Sequence, residues 1–145
     1  MKQIFIDTNI IIDFLADRTP FSDFAAILFQ LAKEHKIRIY ISAISFSNTY
    51  YILRKVSSHK KALRLISEIE GYVGVQETNR IIIQEAIKSG FNDFENAIQY
   101  YSAVQLGKID IITTRDLKGF KKSELAVLSP ETTLRLLMKE QATWQ

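Results

Sequence analysis

The sequence contains no cysteine, and only two prolines and five glycines among its 145 residues. Without cysteine the chain can form no disulfide, no thiolate nucleophile and no cysteine-based metal site. The absence of repeats and low-complexity stretches argues against a fibrous or linker-rich protein. No apolar run is long enough to cross a bilayer, and the N-terminus carries no signal pattern. We therefore expect a cytoplasmic protein that does not associate with membranes.

The residues that are present are typical of one compact domain. Hydrophobic residues make up 47% of the chain and charged residues 24%, which suits a continuous core beneath a polar surface. We therefore predict that residues 1–145 form a single domain. The net charge of +3 is a mild indication of a polyanionic partner.

The first fifteen residues carry the most informative pattern. Residues 4–6 form an apolar run that is too short for a helix and rich in β-formers, so it indicates a buried strand. The run ends at Asp7, and Thr8 and Asn9 then offer side chains that can cap a helix. In α/β sheets, ligand sites form outside the carboxyl ends of the strands. Asp7 could therefore bind a hard cation or simply cap the following helix.

The rest of the chain alternates between helical and strand patterns. In order we predict a strand, two helices, a strand, two helices, a short strand, two helices, a strand, and a C-terminal strand and helix. The predicted helices cover 21–34, 42 or 45 to 55, a segment opening at 57, 79–88 and a segment opening at 94; the strands cover 37–41, 72–75 and 109–113. This alternation is typical of a parallel sheet covered on both faces.

Several polar side chains are predicted to meet at one edge of this sheet. Asp7 and Asp116 each follow an apolar strand, and parallel strands direct their carboxyl ends to the same edge. Asp93 and Asn96 share one face of the helix that precedes the second of these strands. Glu95 is rotated away from both and is expected to face solvent.

A further amide could complete an oxygen-rich pocket. Asn48 lies early in the helix after another strand, with Ser45 one turn before it. Carboxylate and amide oxygens suit Mg²⁺ or Mn²⁺ and disfavour zinc or copper. Ser45 and Thr8 are placed to orient carboxylates rather than to act as nucleophiles. Each acid could also be an ordinary helix cap or a solvated charge, and this alternative stays open.

Four segments of the chain contain these residues, namely FIDTNIIID at 5–13, ISAIS at 41–45, DFENAI at 93–98 and IITTRD at 111–116. In order and spacing they resemble the opening strand, second strand, third-acid helix and fourth-acid strand of the PIN-domain family, the fold of VapC-type toxin ribonucleases. The resemblance implies a three-layer α/β/α domain around a central, mainly parallel sheet.

The resemblance also assigns roles to individual residues and reveals two departures. Asn48 and Asn96 stand where the family usually has acids, and Asp93 is an added acid that could substitute. The implied catalytic acids are Asp7, Asp93 and Asp116; the metal ligands are Asp7, Asp93, Asn96 and Asp116; and the supporting polar residues are Thr8, Asn9, Ser45, Asn48 and Asn96. Two amides bring no charge, so divalent binding should be weakened and repulsion between carboxylates reduced.

By resemblance, the expected activity is metal-dependent hydrolysis of RNA phosphodiesters by a single-strand-acting endoribonuclease of a toxin–antitoxin type. The implied cofactor is Mg²⁺ or Mn²⁺, and the implied partners are RNA, a cognate antitoxin and a second copy in a homodimer. Basic residues directly after the acidic site, which could bind the RNA backbone, are Arg115, Lys118, Lys121 and Lys122. A second basic cluster, formed by Arg54, Lys55, His59, Lys60, Lys61 and Arg64, is more typical of a solvated face.

Other functions remain open at this stage. Asn48 and Asn96 are compatible with a catalytically weakened PIN-like module that binds RNA or protein, so the sequence does not decide whether the chain is an enzyme. A haloacid-dehalogenase-like phosphatase is disfavoured because no aspartate follows two residues after Asp7. An NTP-driven enzyme is disfavoured because no glycine-rich phosphate loop is present.

Overall fold

The computed structural model describes residues 1–143, and the side chains of residues 1–140. Five strands form one sheet in the order β3-β2-β1-β4-β5, and every neighbouring pair is parallel. The strands are β1 Lys2–Ile6, β2 Ile37–Ser42, β3 Gly74–Gln76, β4 Ile111–Thr113 and β5 Ala126–Leu128. The predicted parallel α/β architecture is therefore confirmed.

Helices follow the strands in the predicted order. They are α1 Thr8–Leu15, α2 Ser22–Lys33, α3 Ala43–Val56, α4 His59–Glu70, α5 Arg80–Lys88, α6 Phe94–Leu106 and α7 Pro130–Thr143, with a single 3₁₀ turn at Lys118–Phe120. In the described part of the chain, no helix has the length and apolar character needed to cross a membrane.

The sheet is buried on both faces because side chains along β1 alternate between two cores. Ile4 and Ile6 pack with residues of α1, α2 and α3 on one side, whereas Phe5 packs with Tyr100 and Ile112 on the other. All three β1 residues are fully buried. This explains why their sequence is continuously apolar, as in other parallel sheets with three layers.

Helix ends show which acids serve as caps. Asp93 precedes α6, and its Oδ1 accepts a hydrogen bond from the backbone N–H of Asn96 at 2.9 Å. Asp7 occupies the corresponding position before α1, but its carboxylate makes no capping hydrogen bond. Asp7 thus occupies the N-cap position of α1, but its side chain does not act as the cap and its carboxylate is directed elsewhere.

Candidate functional site

The five polar residues predicted to converge all line one open cleft of about 420 Å³. They are Asp7, Asn48, Asp93, Asn96 and Asp116. The cleft lies at the carboxyl edge of the sheet because β1 and β4 are parallel neighbours, with Ile6 paired to Thr113. The residues that follow these two strands, Asp7 and Thr114, are therefore brought side by side.

Asp7 is the most buried acid of the cleft, with 2% of its surface exposed. Its Oδ1 accepts a hydrogen bond from Gln99 Nε2 at 2.9 Å, and its Oδ2 accepts one from Thr114 Oγ1 at 2.7 Å. Burial raises the pKa of Asp7, these two hydrogen bonds lower it in part, and the charge of Glu95 raises it further. Within the described residues, no lysine or arginine forms an ion pair with Asp7.

Gln99 orients Asp7, and no motif in the sequence indicated this residue. Its Oε1 accepts hydrogen bonds from the backbone N–H of Thr8 at 3.0 Å and from the Ser45 hydroxyl at 3.5 Å. The hydroxyls of Thr8 and Ser45 are themselves 2.7 Å apart. Thr8 and Ser45 therefore act on Asp7 through Gln99. The available signal was helical spacing, since Gln99 lies three residues after Asn96 on the inward face of α6.

Asp116 is exposed at the other side of the cleft and is held by two donors. Its Oδ2 accepts a hydrogen bond from Asn96 Nδ2 at 3.1 Å, and its Oδ1 accepts one from the backbone N–H of Gly119 at 3.0 Å. A Cβ atom at position 119 would collide with the Asp116 carboxylate and the Asn96 amide. Glycine at this position therefore lets the Asp116 carboxylate and the Asn96 amide keep their places, which the sequence pattern did not reveal.

Glu95 corrects one expectation from the sequence. It was expected to face solvent, but it is half-buried and lines the cleft together with Asp93 and Asn96. The N-terminal turn of α6 borders the cleft, so a long side chain there can reach it from a rotated position. Four carboxylates consequently line the cleft instead of three.

The remaining predicted residues take different places. Asn9 is exposed on α1 and lines the cleft, and Asn48 lines it from α3 next to Tyr51 and Ile52. Lys118, Lys121 and Lys122 are exposed after Asp116 and form no ion pair among the described residues. They remain candidates for binding a polyanion.

Arg115 forms a structural contact that the sequence pattern did not predict. Its Nε and Nη2 donate to the two carboxylate oxygens of Asp13 at 2.7 and 3.0 Å, and Asp13 is 1% exposed. Its guanidinium also lies 3.9 Å from the centre of the Phe21 ring. Through these contacts Arg115 ties the loop bearing Asp116 to α1, and its role in RNA binding stays a prediction.

The cleft has the donor chemistry for a hard divalent cation, although its ligands are not assembled. All candidate ligands are carboxylate or amide oxygens, the type that Mg²⁺ and Mn²⁺ prefer. The buried carboxyl group of Asp7 has no cationic partner among the described residues, and a bound cation would stabilise its ionised form. In residues 1–140, however, no three acidic or histidine side chains lie close enough together to hold a metal ion. The residues present thus fit the ion in type, but their side chains must move to bind it.

Comparison with known proteins adds an independent observation. A family model described as PIN domain matches residues 3–118, a range that contains all five converging residues. No curated protein sequence matches the chain significantly.

Solved structures with a similar fold come from several bacteria. VapC20 of Mycobacterium tuberculosis, described as a sarcin–ricin loop cleaving toxin, is 13% identical, with a TM-score of 0.64 over 82% of this chain and 94% of its own. VapBC-1 of nontypeable Haemophilus influenzae is 17% identical, with a TM-score of 0.64 over 89% and 98%. VapBC2 of Rickettsia felis, bound to a promoter DNA fragment, is 15% identical, with a TM-score of 0.62 over 88% and 97%. At these identities, the likeness shows the fold alone.

Proposed function

The chain belongs to the PIN-domain family, and on this basis we propose that it is a metal-dependent endoribonuclease that hydrolyses phosphodiester bonds in single-stranded RNA. The observation that carries the proposal is the carboxylate of Asp7, buried without a cationic partner among the described residues, in a cleft that three further acids line. A site built only to stabilise the fold would neutralise such a buried charge, as Arg115 neutralises Asp13.

Different side chains of the cleft would have different roles in hydrolysis. Asp7, Asp116 and the carbonyl oxygen of Asn96 would hold a Mg²⁺ or Mn²⁺ ion, with Asp93 as a further ligand. When bound, such an ion lowers the pKa of a water and polarises the phosphodiester. Glu95 lines the cleft and would accept the proton of the attacking water. Gln99 and Thr114 keep Asp7 in position through hydrogen bonds to both of its oxygens.

The two amides lower the expected affinity for the cation. Asn96 donates a hydrogen bond from its Nδ2 to Asp116, so its carbonyl oxygen faces away from that carboxylate. The amide would have to turn before its oxygen could bind a cation together with Asp116. Mg²⁺ sheds its waters reluctantly and demands near-octahedral geometry. Mn²⁺ should therefore support activity better than Mg²⁺.

A toxin–antitoxin role is part of the proposal and rests on analogy with the solved structures of similar fold. Two of them are described as VapBC proteins, which supports a small antitoxin partner that covers the acidic cleft of a cytoplasmic homodimer. Co-expression with the product of any small reading frame that adjoins the gene, followed by co-purification, tests the partner. Failure of the two products to associate would contradict this part of the proposal.

A second candidate is a PIN-like module that binds RNA or protein without cleaving it. The hydrogen bond from Asn96 to Asp116 favours it, because an amide satisfies the carboxylate where a bound cation otherwise would. No cluster of three acids is assembled within residues 1–140, which agrees with this alternative.

Cleavage of a labelled single-stranded RNA panel with Mn²⁺ or with EDTA separates the two candidates. We expect weak Mn²⁺-dependent cleavage by the wild type and none by Asp7→Asn, which keeps the side-chain volume but removes the charge. Asp23→Asn, at an exposed position of α2, is the matched control and should cleave normally. RNA binding without any cleavage by the wild type would favour the binding module, and cleavage by Asp7→Asn would place the centre elsewhere.

A further inference from the structure

Tyr51 is a large aromatic side chain on the rim of the acidic cleft, and core packing does not explain it. It lines the cleft together with Asn48, and 59% of its surface is exposed. The two residues are three positions apart on α3, so their side chains lie on one face of the helix. An exposed ring beside a site for phosphodiester chemistry is suited to contact a planar group of the substrate.

The ring of Tyr51 contacts the ring of its neighbour Tyr50. The centroids of Tyr50 and Tyr51 are 5.4 Å apart in an edge contact. Tyr50 is itself fixed, because its hydroxyl and Nδ1 of His59 share a hydrogen bond of 2.6 Å. This bond ties α3 to the first residue of α4. The contact with Tyr50 therefore restricts the exposed Tyr51 ring before a ligand binds. This reduces the entropy lost when a ligand stacks on the ring.

Basic side chains follow Tyr51 along the end of α3 and the start of α4. We call them the α3–α4 basic cluster, formed by Arg54, Lys55, His59, Lys60, Lys61 and Arg64. All six side chains are exposed, and none forms an ion pair with another described residue. Lys55 follows Asn48 by two helical turns, a separation of about 10 Å along the axis. An RNA strand whose phosphate lies at the acids of the cleft can thus reach Lys55 by following α3.

We propose that Tyr51 and the α3–α4 basic cluster form the binding track for single-stranded RNA that extends from the cleft, with a nucleobase stacked on Tyr51 and phosphates on the cations. The proposal rests on the proposed function in that it takes the cleft as the place of the scissile phosphate. Proteins that bind single strands combine a cationic groove with aromatic rings on which bases stack. An acidic peptide could pair with the cations, but it would have no base to stack on Tyr51.

Binding of a short fluorescein-labelled oligouridylate in EDTA tests the track without cleavage, using fluorescence anisotropy. Tyr51→Ala should weaken binding about ten-fold by loss of one stacked base. Tyr51→Phe keeps the ring and should bind as the wild type does. A duplex RNA offers no unstacked base, so Tyr51→Ala should leave its affinity unchanged.

Salt titration of the same complex tests the cations. Lys55→Ala and Lys60→Ala should each reduce the slope of log K against log salt by about 0.7, because each removes one phosphate contact. Lys33→Ala is the matched control. Lys33 is exposed at the end of α2, which leads into the amino end of β2, opposite the cleft. It should leave the slope unchanged.

The outcomes separate this proposal from the proposed function. Unchanged oligouridylate binding by Tyr51→Ala would overturn the track even if the protein cleaves RNA. Loss of binding in Tyr51→Ala with retention in Tyr51→Phe would support the track even if no cleavage occurs with Mn²⁺. Binding of oligoglutamate in place of RNA, or the absence of any RNA binding, would overturn it.

Discussion

Asp7 and Asp13 lie close together in the chain, at the start of α1 and within it, and both are almost completely buried. Asp13 is paired with Arg115 in a bidentate contact. Nη1 of Arg18 also lies 3.8 Å from its Oδ1. Asp7 receives only neutral donors, and burial raises its pKa. The difference separates a charge that fixes the fold from a charge left without a counter-ion. A bound cation would therefore stabilise the folded protein most beside Asp7.

The largest expected effect concerns Asp13. Asp13→Asn removes the charge that Arg115 and Arg18 share, and should lower the free energy of unfolding by about 2 kcal/mol. This value is below that of a fully buried pair because both arginines remain partly exposed to water. Urea unfolding at pH 7 measures it, with Asp23→Asn as the exposed control. A loss as small as that of the control would show that Asp13 does not fix the fold.

Stabilisation of the folded protein by added Mn²⁺ should depend on Asp7 and not on Asp13. At ten times its dissociation constant, the ion should stabilise the wild type by about 1.4 kcal/mol. It should not stabilise Asp7→Asn, whereas a correctly folded Asp13→Asn should respond as the wild type does. Thermal unfolding with Mn²⁺ or EDTA provides the measurement. Equal stabilisation of wild type and Asp7→Asn would place the ion outside this cleft.

Replacing the amides should sharpen the same comparison. Asn96→Asp combined with Asn48→Glu supplies two more charges to the cleft, so Mn²⁺ should bind more tightly in calorimetric titration. Without metal the double variant should be less stable than the wild type, because Asp116 loses the hydrogen bond from Asn96 and gains a like charge nearby. An unchanged affinity would exclude these positions from the metal's ligands.

The sequence was sufficient to predict the order of the elements and the sheet edge at which the acids meet. Both follow from local patterns: apolar runs of period two or 3.6, and the rule that parallel strands end together. The partners of these acids could not be predicted. Gln99 is 92 positions from Asp7, and Arg115 is 102 from Asp13, so each contact depends on how separate elements pack. Glu95 was wrongly expected to face solvent because its long side chain reaches the cleft from a rotated position, and the close approach of Gly119 to Asp116 depends on a local turn that the sequence pattern did not reveal.

The smallest expected effect is the pH dependence that distinguishes Asp7 from an ordinary surface acid. Because the folded-state pKa of Asp7 is raised above its ordinary value of 3.8, the folded protein holds this proton more tightly than the unfolded chain does. The stability that the wild type derives from this group is therefore present at pH below 3.8 and is lost as the pH rises through the folded-state pKa. Asp7→Asn cannot ionise, so its stability relative to the wild type should increase across that window and then level off. Urea unfolding of both proteins in EDTA from pH 4 to neutrality measures the difference. A constant difference would mean that folding does not raise the pKa of Asp7, and would contradict the inference that this carboxyl group is buried without a counter-charge.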